Sequence, residues 1–218
     1  LPGVPLLLPE LCHGCGVCKY VCPEEAIDDL GREIGQVGCE EVEGVHFRWG
    51  RLNIGEARAT PVIAAVKDLN EAPALETVII DAPPGVACPA VETLRGGDFA
   101  ILVTEPTPFG LHDLKLAVGT ARILGLPHGV VVNRAGLGED AVYEYCKSAD
   151  VPILLEIADD RRVAEICSRG DIVVHGDPEY AASMRALVAA VRTRVKDHQA
   201  AAGVPSGVTA TVDEGGAL

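Results

Sequence analysis

Long apolar runs and basic charge are both scarce in this sequence. No uninterrupted apolar stretch approaches the roughly eighteen residues that a bilayer-spanning helix needs, so we expect no stable membrane insertion. Lysine and arginine together number 18 against 32 acidic residues, which gives a formal net charge of −14. Because so acidic a surface repels phosphate backbones, we do not expect nucleic acid as a partner.

The sequence also lacks a phosphate-binding loop of the Walker A type. Such a loop places a lysine directly after a glycine and follows it with serine or threonine. None of the lysines in this chain follows a glycine. We therefore expect no ATP hydrolysis by the chain as written, because nothing would hold the β- and γ-phosphates.

No secretion signal is evident at the start of the chain. Residues 1–11 are apolar, but they contain three prolines and no basic residue, which is not typical of a signal peptide. Cysteines at cluster-type spacing without such a signal favour a reducing, cytoplasmic location. The chain begins with Leu1 rather than methionine, which indicates that the true start lies upstream.

Four of the eight cysteines stand within eleven residues. Cys12, Cys15, Cys18 and Cys22 form a C-x2-C-x2-C-x3-C run that ends in Pro23. This spacing is typical of bacterial [4Fe–4S] sites, in which the fourth cysteine usually ligates a different cluster from the first three. A zinc site is the alternative, although structural zinc sites usually draw their thiolates from two separated knuckles.

The remaining cysteines are scattered. Cys146 and Cys167 lie inside helical patterns, where we expect them to pack in the core as small hydrophobic residues. Cys39 could serve as an additional ligand for a cluster that is short of its fourth thiolate. Cys88 follows a proline–glycine turn.

The second part of the sequence alternates short apolar runs with helical patterns. We predict strands in 77–85, 98–106, 129–135 and 151–157, and helices between or after them. Alternation of this kind predicts an α/β fold with a mostly parallel sheet, helices on both faces and ligands beyond the carboxyl ends of the strands. The glycine-rich residues before about 55 predict a small cluster-bearing module of short strands and turns. The resulting division is a partial ferredoxin-like module at 1–58, a sheet domain at 59–198 and a disordered tail at 199–218.

Polar residues follow two of the predicted strands. Asp81 could hold magnesium beside nucleotide phosphates, and Gly85 could offer an unhindered backbone N–H to a terminal phosphate. Asn133 could hydrogen-bond an adenine edge while Arg134 lies over the ring. Each pair has a simpler interpretation as an ordinary turn, because proline, glycine and asparagine all favour turns.

Taken together, these stretches resemble the MinD-like P-loop ATPases with an inserted ferredoxin domain, in the MinD/ParA/Mrp deviant-Walker superfamily. The matching stretches include "ELCHGCGVCKYVCPEEAI", "VIIDAPPG", "LVTEPTPFGLHDLKLAV" and "GVVVNRA". The resemblance implies a P-loop, a first strand and another cluster motif upstream of Leu1. One departure is that Val86 and Ala87 stand where the family usually has small hydroxyl residues.

The resemblance also implies roles for particular residues. Asp81 becomes the magnesium-linked, Walker B-type acid, Gly85 part of a switch turn, and Asn133 and Arg134 the adenine contacts. Cys12, Cys15 and Cys18 would hold one [4Fe–4S] cluster while Cys22 reaches toward the other. The implied cofactors of the complete protein are the cluster, ATP and Mg²⁺.

Three functions are consistent with these features. The first is part of an ATPase that couples nucleotide binding to electron transfer with a redox partner protein, and a homodimer is compatible with it. The second is a cluster scaffold or carrier of the Mrp type, which passes its cluster to an acceptor protein. The third is a remnant that binds a cluster and hydrolyses nothing.

Overall fold

The chain forms two compact units, residues 1–93 and residues 94–218. The computed structural model describes residues 8, 12, 16–28, 31–68 and 77–201. The predicted division at residue 58 stays a prediction.

Among its described residues, the first unit contains a β-hairpin and three short helices. The helices are α1 (Val17–Tyr20), α2 (Thr60–Lys67) and α3 (Cys88–Leu94), the last of which ends at the unit boundary. The hairpin pairs β1 (Gly35–Val42) with β2 (Val45–Leu52) in antiparallel register. Glu43 and Gly44 connect the strands with φ values of 51° and 79°, as a tight hairpin turn of the favoured twist requires. The predicted short strands of this region are confirmed.

Helix α2 packs against the hairpin because Gly50 has no side chain. A Cβ atom at this position would come within 2.6 Å of Val62 and 2.9 Å of Val66, both on α2. At the end of α2, the Lys67 ammonium donates hydrogen bonds to the carbonyl oxygens of Glu92 (2.7 Å) and Thr93 (3.3 Å). These carbonyls lie in the last turn of α3, where a cation stabilises the helix end.

The second unit is built on a parallel three-stranded sheet in the order β3-β4-β5. The strands are β3 (Ala100–Thr104), β4 (His128–Ala135) and β5 (Ile153–Ala158). The helices that follow them are α4 (Pro108–Ile123), α5 (Ala141–Ser148), α6 (Arg161–Ser168), α7 (Val173–Gly176) and α8 (Pro178–Ala201). The α/β fold with a parallel sheet is therefore confirmed. Among the described helices, none is both long and apolar enough to cross a membrane.

The core of the second unit lies between the central strand and two helices. Its buried members are Leu114, Val118, Val130, Val132, Val142, Cys146 and Val151. Leu114, Val118 and Ala121 recur at helical spacing on α4 and are all buried, as their periodicity predicts. Cys146 is buried as predicted, and burial raises the pKa of its thiol, which keeps it in the less reactive protonated form.

The predicted strand at 77–85 is wrong. Residues 77–87 have no regular secondary structure, and the side chains of Val78 and Ile79 are 67% and 87% exposed. A buried strand needs a neighbouring strand, and the two sheets of the described residues consist of β1 with β2 and of β3, β4 and β5. A run of β-branched residues predicts a strand but not the partner that the strand requires.

Two smaller predictions also need correction. Cys167 is exposed rather than in the core, because no residue of α6 is buried and periodicity alone does not say how deeply a helix packs. The predicted tail begins too early, since α8 continues through residues 199–201. The rest of that predicted tail, 202–218, lies outside the described residues.

Candidate functional site

Three of the four clustered cysteines lie on and around the first short helix. Gly16 adopts a φ of 70° and leads into α1, which carries Cys18, and Cys22 follows the helix. Cys12 and Cys18 are exposed, Cys22 is half-buried, and all three are free thiols. Cys15 lies outside the described residues. Thus Cys18 and Cys22 are positioned by a single helical turn that follows Gly16.

The environment of Cys22 fits an iron–sulfur ligand. The backbone N–H of Ala26 donates a hydrogen bond to Cys22 Sγ at 3.4 Å. Hydrogen bonds to sulfur are one of the means by which a protein adjusts the reduction potential of a cluster. Four cysteines with one such donor suit the chemistry of a [4Fe–4S] cluster. Among the described residues, which omit Cys15, no three potential ligands form a preformed metal group.

A half-buried ion pair connects Cys12 with the segment after the hairpin. Arg58 Nη1 donates to the carbonyl oxygen of Cys12 at 2.6 Å, and Arg58 Nε donates to Glu56 Oε1 at 2.8 Å. Arg32 contacts the other oxygen of the same carboxylate. The hydrogen bond from Arg58, together with the charge of Arg32, lowers the pKa of Glu56 to about 2. Sequence reasoning assigned no role to Arg58 or Glu56.

At the carboxyl edge of the sheet, Arg134 connects the ends of all three strands. Its guanidinium lies 3.2 Å from Asp159 after β5 and 3.6 Å from Glu105 after β3. Arg134 has a φ of 55° and sits at an irregularity in the pairing of β4 with β5. Such bulges redirect a side chain. The guanidinium that was predicted to lie over an adenine ring is therefore held by two carboxylates in this structure.

The loops after β3 and β4 approach each other closely at the same edge. Gly138 has a φ of 104°, and a Cβ atom there would overlap the carbonyl oxygen of Pro106. Thr107 is the N-cap of α4, and its hydroxyl oxygen accepts a hydrogen bond from the backbone N–H of Gly110 at 3.0 Å. The edge is thus a packed, polar surface that positions Glu105 and Arg134.

The predicted nucleotide residues fall in separate parts of the chain. Asn133 is half-buried near the end of β4, next to Arg134 at the sheet edge. Asp81 is exposed in an irregular segment of the first unit, and Gly85 has a φ of 87° with open space beside its Cα. Since Asp81 does not end a strand, its predicted magnesium role loses the support of a buried strand. The roles of all four residues stay predictions.

Comparison with known proteins identifies one domain. Residues 6–28 match the 4Fe–4S binding domain family. The match includes all four clustered cysteines, so the chain is an iron–sulfur protein with a ferredoxin-like module near its N-terminus, as the spacing predicts.

Two proteins from Methanocaldococcus jannaschii, both named as uncharacterized, resemble a larger part of the chain. One, MJ0579, is 26% identical over 167 residues, which is 76% of this chain and 57% of that protein. The other, MJ0578, is 33% identical over 129 residues, or 59% of this chain and 46% of that protein. The chain thus spans about half the length of these relatives.

Proposed function

We propose that this chain is part of a MinD-like ATPase that couples ATP binding to iron–sulfur electron transfer. The observation that carries the proposal is that one chain contains both a 4Fe–4S binding motif and an α/β unit with a parallel sheet. Membership of the MinD/ParA superfamily is supported by the resemblance of the stretches around the sheet.

The cysteine run would bind the redox group. Cys12, Cys15 and Cys18 would supply thiolates to one [4Fe–4S] cluster, and Cys22 would reach a second one. Such a cluster supplies one-electron transfer when it is bound. Because Cys12 and Cys18 are exposed, a partner protein could approach the site closely. The net charge of −14 favours a redox partner with a basic docking surface.

The sheet edge would bind the nucleotide base. Asn133 would hydrogen-bond the adenine, and Arg134 would contact it after giving up part of its pairing with Glu105 and Asp159. Asp81 and Gly85 would lie near magnesium and the phosphates. The sequence has no glycine–lysine phosphate loop, so the affinity of this chain alone for ATP would be low.

The coupling is tested on the complete protein rather than on this chain alone, by measuring the reduction potential of the reconstituted cluster by voltammetry with and without Mg–ATP. Nucleotide can shift the potential only if the oxidised and reduced forms bind it with different affinities. For a one-electron couple, a tenfold affinity difference shifts the potential by about 59 mV. Asn133→Ala should remove the shift and leave the cluster intact. Equal potentials with and without nucleotide would contradict coupling.

A cluster carrier of the Mrp type is the second candidate function. The exposure of Cys12 and Cys18 favours it, because transfer of a cluster requires that acceptor thiols can reach the iron. Incubation of the loaded protein with an apo-ferredoxin under anaerobic conditions separates the two functions. Rapid, complete transfer without a change in redox state would favour the carrier. A cluster that stays bound and cycles between redox states would favour electron transfer.

A further inference from the structure

We propose that Arg58 positions the cysteine run and stabilises the reduced form of the cluster bound there. This inference rests on the proposed iron–sulfur function and extends it to a residue outside the matched domain at 6–28. Arg58 does not ligate iron. It acts through the backbone of the first ligand, Cys12.

The first observation is a direct contact between distant parts of the chain. Arg58 Nη1 donates a hydrogen bond to the carbonyl oxygen of Cys12 at 2.6 Å, across 46 residues of sequence. The Arg58 side chain is only 18% exposed, so the contact is partly shielded from water. A charge-assisted hydrogen bond of this kind restrains the backbone next to the first ligand.

The second observation is that Arg58 is itself held in place. Its Nε and Nη2 donate to the two carboxylate oxygens of Glu56 at 2.8 Å and 3.2 Å, and its backbone N–H donates to the same group at 3.0 Å. The Glu56 side chain is 6% exposed. A planar guanidinium paired in this two-point manner keeps a fixed orientation.

The segment that carries Glu56 is anchored to the base of the hairpin. The backbone N–H of Asn53 donates to Ile34 O at 2.9 Å, and its side-chain amide donates to Glu33 O at 3.1 Å. The backbone N–H of Glu56 donates to Asn53 O at 3.0 Å. Arg32, just before β1, contacts Glu56 from the other side. Arg58 therefore belongs to a segment that hydrogen bonds and an ion pair attach to the base of the hairpin.

The charges at this position favour the reduced cluster. Glu56 neutralises only one of its two arginines, so one positive charge remains close to Cys12. A [4Fe–4S] cluster with thiolate ligands becomes one unit more negative when it accepts an electron. A nearby fixed cation lowers the energy of that added charge. The hydrogen bond to Cys12 thus affects how firmly the cluster is retained, and the excess charge affects its reduction potential.

The test compares full chains reconstituted anaerobically: the parent protein, Arg58→Gln, Arg58→Lys and the control Arg51→Gln. Arg51 lies on β2 over the ring of Trp49, so its loss removes one positive charge from the same unit of the chain. We expect Arg58→Gln to disfavour reduction about tenfold, a shift of about 59 mV to more negative potential. It should also lose its cluster to an iron chelator several times faster. Arg51→Gln should match the parent in both properties.

Arg58→Lys separates the two effects and covers the case in which Arg58→Gln does not fold. Lysine keeps the charge, so the reduction potential of the cluster in this variant should stay near that of the parent. Because lysine cannot contact both oxygens of Glu56 as arginine does, the variant should lose its cluster faster. The inference is overturned if the folded Arg58 variants equal the Arg51→Gln control in potential and in cluster loss. If the parent itself takes up no cluster, the proposed iron–sulfur function fails instead.

Discussion

At the scale of single residues, the carboxylate of Glu56 has the most clearly perturbed titration. Its pKa in the folded chain is about 2, below the ordinary value of 4.5, mainly because of the hydrogen bond from Arg58. A carboxyl group whose pKa is lowered by folding stabilises the fold above its unfolded pKa, and that stabilisation disappears as the pH falls toward the folded pKa. The stabilisation of the fold by ionised Glu56 should therefore be present at neutral pH and decline between about pH 4.5 and 2.

The prediction is tested on the cluster-free protein by thermal unfolding at several pH values. Glu56→Gln should unfold at a lower temperature than the parent at pH 7, and the gap should narrow as the pH drops below about 4.5. Glu41→Gln, at an exposed site on β1, is the matched control and should follow the parent. If the difference in unfolding temperature between Glu56→Gln and the parent stayed constant from pH 7 to pH 3, the lowered pKa of Glu56 would be contradicted.

Sequence alone identified the cysteines but not the residues that support them. The cysteine run is contiguous, and its spacing carries its own chemical meaning. Arg58 and Cys12 lie 46 residues apart, and only the folding of the hairpin brings them together. Similarly, Glu105, Arg134 and Asp159 lie at the ends of three different strands, so their pairing depends on the order of the sheet. Contacts of this kind depend on tertiary structure rather than on local pattern.

At the scale of elements, the start of α4 depends on one hydroxyl group. Thr107 accepts a hydrogen bond from Gly110 N–H, one of the donors that a helix start leaves without an internal partner. Thr107→Ala should lower the free energy of unfolding by about 1 kcal/mol. Thr120→Ala is the control, because its hydroxyl contacts a carbonyl inside the same helix. Equal effects of the two substitutions in denaturant titrations would argue against the cap.

The packing of the two edge loops depends on Gly138. Gly138→Ala would force a Cβ atom into the carbonyl oxygen of Pro106 and impose an unfavourable φ. Gly136→Ala is a matched control, because Gly136 also has a positive φ but has open space beside it. We expect Gly138→Ala to destabilise the fold by about 1–3 kcal/mol more than Gly136→Ala in denaturant titrations. Equal losses of unfolding free energy in the two variants would mean that the close approach of Gly138 to Pro106 does not affect stability.

Elements could be predicted where local pattern and packing agree. Helix α4 and strands β3, β4 and β5 all appear in the predicted places, because their apolar residues face a core that the same unit supplies. Residues 77–81 show an equally strong apolar run and yet form no strand. A hydrophobic pattern indicates how readily a segment could form a strand. Whether the strand forms depends on a neighbouring strand with which it can pair.

At the scale of the whole molecule, the sequence distinguished a cluster-bearing module from a sheet domain. The 4Fe–4S match and the parallel sheet agree with that distinction. The bounds of the two parts stay a prediction, because they depend on tertiary contacts such as that between Lys67 and the end of α3 rather than on local pattern.

The central claim is that the run from Cys12 to Cys22 binds an iron–sulfur cluster. Iron and acid-labile sulfide, measured per chain after anaerobic reconstitution, test it most directly, together with the paramagnetic resonance spectrum of the reduced protein. We predict at most one cluster, with about four iron and four sulfide ions per chain, and loss of the signal in Cys18→Ser but not in Cys167→Ser. Stoichiometric zinc without sulfide, or an unchanged cluster in Cys18→Ser, would contradict the claim.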